Sequence, residues 1–272
     1  MHMDQDHQTV RDPLFGSPRT IFEVAASTNG DPLLQRPAEQ WERFAREDPY
    51  TYILTALKGL DRREFWQSGV RTIQEEFLPL LRLHKVRTGL SLELGCGIGR
   101  LALPLASVFR QVVGVDIAQG MIQRAVSLAE DNRINNGSFL TISGPEDFLR
   151  NAWNYKGTVD FVYSLLVFQH ISEFYTIEGY LHVIRVLLHK HGLAYLQFDT
   201  RPRDFRYRLK TRLPDFLLPR FWRRGIRRIR RSPEEIEACI RRAGMEIVGE
   251  LTPHTAYHRY ILRRSKCPPD SK

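Results

Sequence analysis

The chain has 272 residues, 42% of them hydrophobic and 26% charged, enough for one sizeable core or one core with a cap. No apolar run reaches the roughly 18–20 residues needed to span a bilayer. The N-terminal Met-His-Met-Asp-Gln-Asp-His has no apolar signal region, so a cytoplasmic location is the expectation. The net charge of +9 is unevenly placed: residues 201–231 hold about 13 Lys/Arg against Asp204 and Asp215, and the remainder is close to neutral.

In chain order, residues 1–36 are polar and rich in Pro, Gly, Asp and Gln, the composition of a flexible N-terminus. Residues 37–88 read as a helical cap. Trp41, Phe44, Tyr52 and Ile53 mark apolar faces, and a helix over about 62–83 carries Phe65, Trp66, Val70, Ile73, Phe77 and Leu80 at spacings of three and four. Residues 89–265 then alternate. Strands are expected near 90–94, 111–115, 138–142, 159–164 and 192–199, and helices near 98–109, 119–132, 145–152 and 172–188. Such alternation implies a doubly wound, mainly parallel α/β sheet with right-handed crossovers. Ser232-Pro-Glu-Glu235 reads as a capping box with proline at the first helical position, and Gly244 as that helix's stop. Strands near 246–251 and 257–263 bring the sheet to seven.

The densest chemistry lies at Ser91-Leu-Glu-Leu-Gly-Cys-Gly-Ile-Gly-Arg100. Glycines there permit positive φ and let a ligand lie against the main chain. A dinucleotide fingerprint would need a glycine where Arg100 stands, which disfavours a pyrophosphate ligand and a nicotinamide oxidoreductase. About 20 residues on, Gln111-Val-Val-Gly-Val-Asp116 ends a strand in an acid. Asp116 can accept both hydroxyls of a ribose; its bland alternative is to cap the following helix. Cys96 reads as a small residue in a crowded loop. The three scattered cysteines form neither a disulfide framework nor a zinc spacing, and the histidines at 182, 189 and 191 form no compact metal-ligand set.

Five motifs in order resemble the class I S-adenosylmethionine-dependent methyltransferases. Leu92–Arg100 is similar to the first motif and Val113–Met121 to the segment after it. Ser143–Phe148 resembles the acidic stretch after strand three, Val159–Ile171 the fourth-strand motif, and Arg185–Ala194 the run before strand five. The resemblance implies a Rossmann-like fold, an antiparallel final hairpin, and S-adenosyl-L-methionine as methyl donor. It carries Glu93, Gly95, Cys96, Gly97, Gly99 and Arg100 over as donor-binding positions. Asp116 would take the ribose, Ile117 and Met121 would flank the adenine, Glu146 or Asp147 would reach its amine, and Leu165 would border the methyl. Pro145 stands where the family often has an acid.

His170 has the pKa range of a general base, although a loop-bracing role is the blander reading. The arginine-rich 201–231 is expected to be a basic lid on the acceptor pocket. It could instead grip an anionic acceptor or membrane surface, or track nucleic acid. The expected activity is methyl transfer to the oxygen or nitrogen of a small-molecule acceptor. The alternatives are an RNA or other nucleic-acid methyltransferase and a non-catalytic S-adenosylmethionine-binding module.

Overall fold

A computed structural model describes residues 32–53, 62–217 and 228–266. The strands are β1 (Leu90–Leu94), β2 (Gln111–Asp116), β3 (Gly137–Thr141), β4 (Val159–Ser164), β5 (Leu188–Phe198), β6 (Met245–Leu251) and β7 (His258–Arg264). They form one sheet in the order β3-β2-β1-β4-β5-β7-β6. β1 to β5 pair in parallel, and β7 runs antiparallel to both β5 and β6. The fold is therefore the expected Rossmann-like one, with its closing hairpin.

Helices cover both faces, so β1 and β4 are buried along their whole length, the polar Ser91, Glu93, Asp160 and Ser164 included. Within β4, Val162 packs into one layer while Phe161 and Tyr163 enter the other. The first layer takes Ile177, Leu181 and Ile184 of a long helix, Phe174–Leu187, together with Ile236 and Ile240 of Pro233–Arg242. The second takes Phe77, Leu80, Leu101 and Leu105. The capping box is present: Ser232 accepts from the Glu235 amide, and the Glu235 carboxylate accepts from the Ser232 amide. Gly244 follows with φ +70°, a left-handed stop.

Several boundaries differ from the sequence reading, each for a local reason. The first helix, α1, begins at Pro32, inside the stretch expected to be flexible and ahead of the cap boundary at residue 37, and runs to Glu47; α2 is Pro49–Ile53. Residues 1–31 lie outside the described part. The helix expected over 62–83 is α3 (Arg62–Thr72) and α4 (Leu78–Leu83), joined by a π-helical turn at Ile73–Phe77. That turn aims Glu76 at the sheet, where its carboxylate accepts from Tyr195 Oη at 2.7 Å and from Arg259 at 2.9 Å. The helix expected over 98–109 contracts to α5 (Ala102–Leu105). The glycine turn extends to Leu101 on one side, and after Leu105 the chain tightens into three-residue turns, with the Ser107 and Val108 amides donating to Pro104 and Leu105.

Candidate active site

A cavity of about 440 Å³ opens at the carboxyl ends of β1, β2 and β4, where the strand order reverses around β1. Open α/β sheets place ligands at this crevice. Its wall includes Glu93, Gly95, Cys96, Gly97, Arg100, Asp116, Ile117, Met121, Asp147, Leu165 and His170. Gly99 and Glu146 are not on it. Gly99 (φ +84°) turns the chain into α5, its amide donating to Cys96 O. Of the two acids after β3, it is Asp147 that faces the cavity, and its Oδ2 accepts from the Ser143 amide at 2.9 Å.

Gly95 and Gly97 take φ of +75° and +53°. A Cβ on Gly95 would lie 2.2 Å from Val167 Cγ2, so the loop after β4 sits directly on this glycine. The loop's amides are largely engaged inside the protein. Gly95 and Cys96 both donate to Val115 O, and Gly97 donates to Asp116 Oδ2 at 2.8 Å. The loop therefore brings a narrow backbone edge to the cavity more than an array of free donors.

Asp116 is the hub. Its Oδ2 accepts from Gly97 and its Oδ1 from the Ala118 amide at 3.0 Å. Burial raises its pKa, and the amides of Ala118, Gly97 and Ile117 oppose that rise. The following helix, α6 (Gln119–Asp131), has Ala118 at its N-cap, so Asp116 braces the turn without being the cap. Glu93 is 4% exposed, and its Oε2 accepts from the Ala102 amide at 3.0 Å. Burial pushes its pKa up to about 8, against the pull of the neighbouring Arg100 charge. Burial also holds the Cys96 thiol well above its ordinary range, which makes it a filler, not a nucleophile.

The loop after β4 forms the opposite wall. Leu166 adopts φ +66°, a strained conformation for a leucine. A 3₁₀ turn, Phe168–His170, follows. His170 Nε2 lies 3.2 Å from the side-chain amide of Gln169, and its ring meets Trp41 edge-on at 5.6 Å. Trp41, with Pro37 and Ala38 of α1 and Ile53 of α2, closes the cavity from the N-terminal side. α1 is anchored at the start of α6, where Glu42 Oε2 accepts from the Gly120 amide at 2.9 Å. Periodicity marks Trp41 and Ile53 as apolar-face residues and gives no sign that they wall a cavity. Thr176 and Tyr180 of the Phe174–Leu187 helix also reach it and carry no motif.

The described part of the basic segment, expected as a lid, packs beside the cavity's wall. Among the described residues, none of 201–217 or 228–231 lines the cavity. The segment's return limb braces the wall from behind. Ile229 N donates to Gln169 O at 2.7 Å. Arg231, 3% exposed, donates to the carbonyls of Phe168, Ile171 and Ser172 and lies over the Phe174 ring. Burial lowers its pKa to about 10. Residues 218–227 lie outside the described part.

The chemistry of the wall fits S-adenosylmethionine. Carboxylates at 93, 116 and 147 match an ammonium, a ribose diol and an adenine amine, and Ile117, Met121 and Ile142 offer apolar surface for a ring. The sheet order and this arrangement have the architecture of a class I S-adenosylmethionine-dependent methyltransferase domain. Residues 92–192 match the family model described as a methyltransferase domain. The chain is similar to the 23S rRNA (uracil(1939)-C(5))-methyltransferase RlmD of Vibrio vulnificus strain YJ016, 30% identical over 121 residues, 44% of this chain and 28% of that one. It therefore spans under a third of the length of this relative. Among solved structures, it resembles a S-adenosylmethionine-dependent methyltransferase from Clostridium acetobutylicum ATCC 824, with TM-score 0.57, 14% identity, and coverage of 79% of this chain and 96% of that one. It also resembles the magnesium protoporphyrin IX methyltransferase ChlM of Synechocystis PCC 6803 with bound SAH, with TM-score 0.55, 21% identity, and coverage of 80% and 94%. At these identities the two structures speak to the fold.

Proposed function

We propose that the protein transfers a methyl group from S-adenosylmethionine to an oxygen or nitrogen of a small, largely apolar acceptor. The observation that carries this reading is the cavity itself. It is walled by aliphatic and aromatic side chains on its acceptor side (Trp41, Leu165, Leu166, Val167, Ile171), while its carboxylates gather on the donor side. The bound donor supplies a methyl already activated on a sulfonium, so positioning and exclusion of water are the main tasks left to the protein. In this reading Asp116 accepts the ribose hydroxyls, and Glu93 accepts from the ammonium. Ile117 and Met121 flank the adenine, Asp147 rather than Glu146 reaches its amine, and Leu165 lies against the methyl. The loop from Gly95 to Arg100 sets the floor.

His170 serves as a wall residue. Gln169 engages its Nε2, and Trp41 packs on its ring, which favours positioning over proton removal. An RNA acceptor is the second reading; the arginine-rich 201–231 and the similarity to an rRNA methyltransferase of Vibrio vulnificus favour it. A labelled-methyl transfer assay on host extract, split into small molecules, lipid, protein and RNA, separates the two. Label in the small-molecule or lipid fraction supports the proposal, label in RNA replaces it with the second reading, and donor binding without any transfer would make the protein a binding module.

A further inference from the structure

Phe205 and Phe216 are each 78% exposed, more than any other large apolar side chain among the described residues. Leu217 is 60% exposed and Leu213 38%. All four fall within residues 205–217, in the arginine-rich insertion. Phe205 opens a helix, Phe205–Arg212, whose N-cap Asp204 accepts from the Tyr207 amide, and Phe216 and Leu217 sit in the 3₁₀ turn after it. Tyr257, 38% exposed, adds an aromatic ring under Arg228. Burying each phenylalanine would be favourable by roughly 1.5–3 kcal/mol, so four such side chains left in water within thirteen residues mark an interaction segment.

The charge says what kind. The insertion holds about 13 Lys/Arg against two acids on a chain otherwise near neutral. Arg201, Arg203 and Arg230 are paired with Asp199, Glu235 and Asp204, and Arg231 is buried. Apolar anchors bracketed by cations match an anionic bilayer surface, where side chains enter the acyl boundary and cations meet head groups. Single-stranded nucleic acid would ask for flat rings on which bases stack. Phe205, Phe216 and Tyr257 supply such rings, but Leu213 and Leu217 add aliphatic bulk that base stacking does not use and an acyl boundary does.

We propose that the exposed apolar side chains of residues 205–217, Phe205, Leu213, Phe216 and Leu217, dock the protein onto an anionic lipid membrane. The segment is tied through Ile229 and Arg231 to the loop that walls the cavity, so docking places that wall close to the bilayer. This needs no particular acceptor and stands apart from the reaction proposed above.

The test is flotation of the full chain with phosphatidylcholine vesicles, alone and with roughly 30% phosphatidylglycerol. The protein floats with the anionic vesicles and much less with the neutral ones. The variant Phe205→Ser/Phe216→Ser binds at least about tenfold more weakly, keeps its melting temperature and its S-adenosylhomocysteine affinity, and Phe205→Trp/Phe216→Trp restores binding. Absence of flotation, or flotation unchanged by the serine pair, overturns the proposal. Tight binding of a single-stranded RNA that the serine pair abolishes, with no flotation, assigns the segment to nucleic acid instead.

Discussion

At the scale of single residues, the cavity is governed by two buried acids with different work. Asp116 already joins Gly97 to Ala118, so it has the rigidity to present its remaining lone pairs to a ribose. Glu93 is held near neutrality: burial lifts its pKa from an ordinary value of 4.5 to about 8. The folded protein therefore keeps a proton on Glu93 that the unfolded chain releases between about pH 4.5 and 8. Stability of the unliganded protein from this group falls as pH rises through that window. A ligand ammonium favours the ionised carboxylate, so affinity for S-adenosylhomocysteine rises with pH over the same range. Thermal melts and binding titrations from pH 5.5 to 8.5 check both slopes, and Glu93→Gln flattens them. A rise in affinity that survives in Glu93→Gln would assign the proton elsewhere. For His170, a wall residue predicts that His170→Asn lowers kcat less than about tenfold with an unchanged pH profile. Loss of a general base would cost about 10²–10⁴-fold.

At the scale of elements, the loop between β4 and the Phe174–Leu187 helix owes its shape to a residue 60 positions away. Arg231 gathers the carbonyls of Phe168, Ile171 and Ser172, and no side chain within the loop could do so. Arg231→Met leaves those carbonyls unsatisfied. It should destabilise the fold by about 2–4 kcal/mol in urea denaturation and loosen acceptor binding more than donor binding. A change under about 0.5 kcal/mol would show that water replaces the guanidinium. This link was not legible in the sequence, where Arg231 is one arginine in a run. What was legible rests on local rules. β1 and β4 show their bounds because their apolar residues are dense and each run is closed by a turn, the glycine loop after Leu94 and the loop after Ser164. Ser232 to Glu235 show a cap because the box is four residues long. The Ile73–Phe77 π turn was hidden because Ile73 and Phe77 keep an ordinary spacing of four. The roles of Trp41, Thr176 and Tyr180 were hidden because they depend on helices meeting across the cavity. The glycine loop displayed its turn and concealed its hydrogen bonding: Gly95, Cys96 and Gly97 look like free donors until β2 is seen to accept from two of them and Asp116 from the third.

For the whole molecule, the parts divide the labour. The sheet edge at β1 and β2 carries the acids, and the loop after β4 carries the apolar wall. Helices α1 and α2 close the cavity over both, with α1 fastened through Glu42 to the start of α6. The return limb of the basic insertion stiffens the wall through Ile229 and Arg231. This division of labour depends on the cavity holding the methyl donor. Calorimetric titration of the full chain with S-adenosylhomocysteine tests this directly. Saturable binding at one site per chain is expected, weakened at least about tenfold in Asp116→Ala, because two charge-assisted hydrogen bonds and the brace under Gly97 are lost together. No binding by the unaltered chain, or equal affinity in Asp116→Ala, would contradict it.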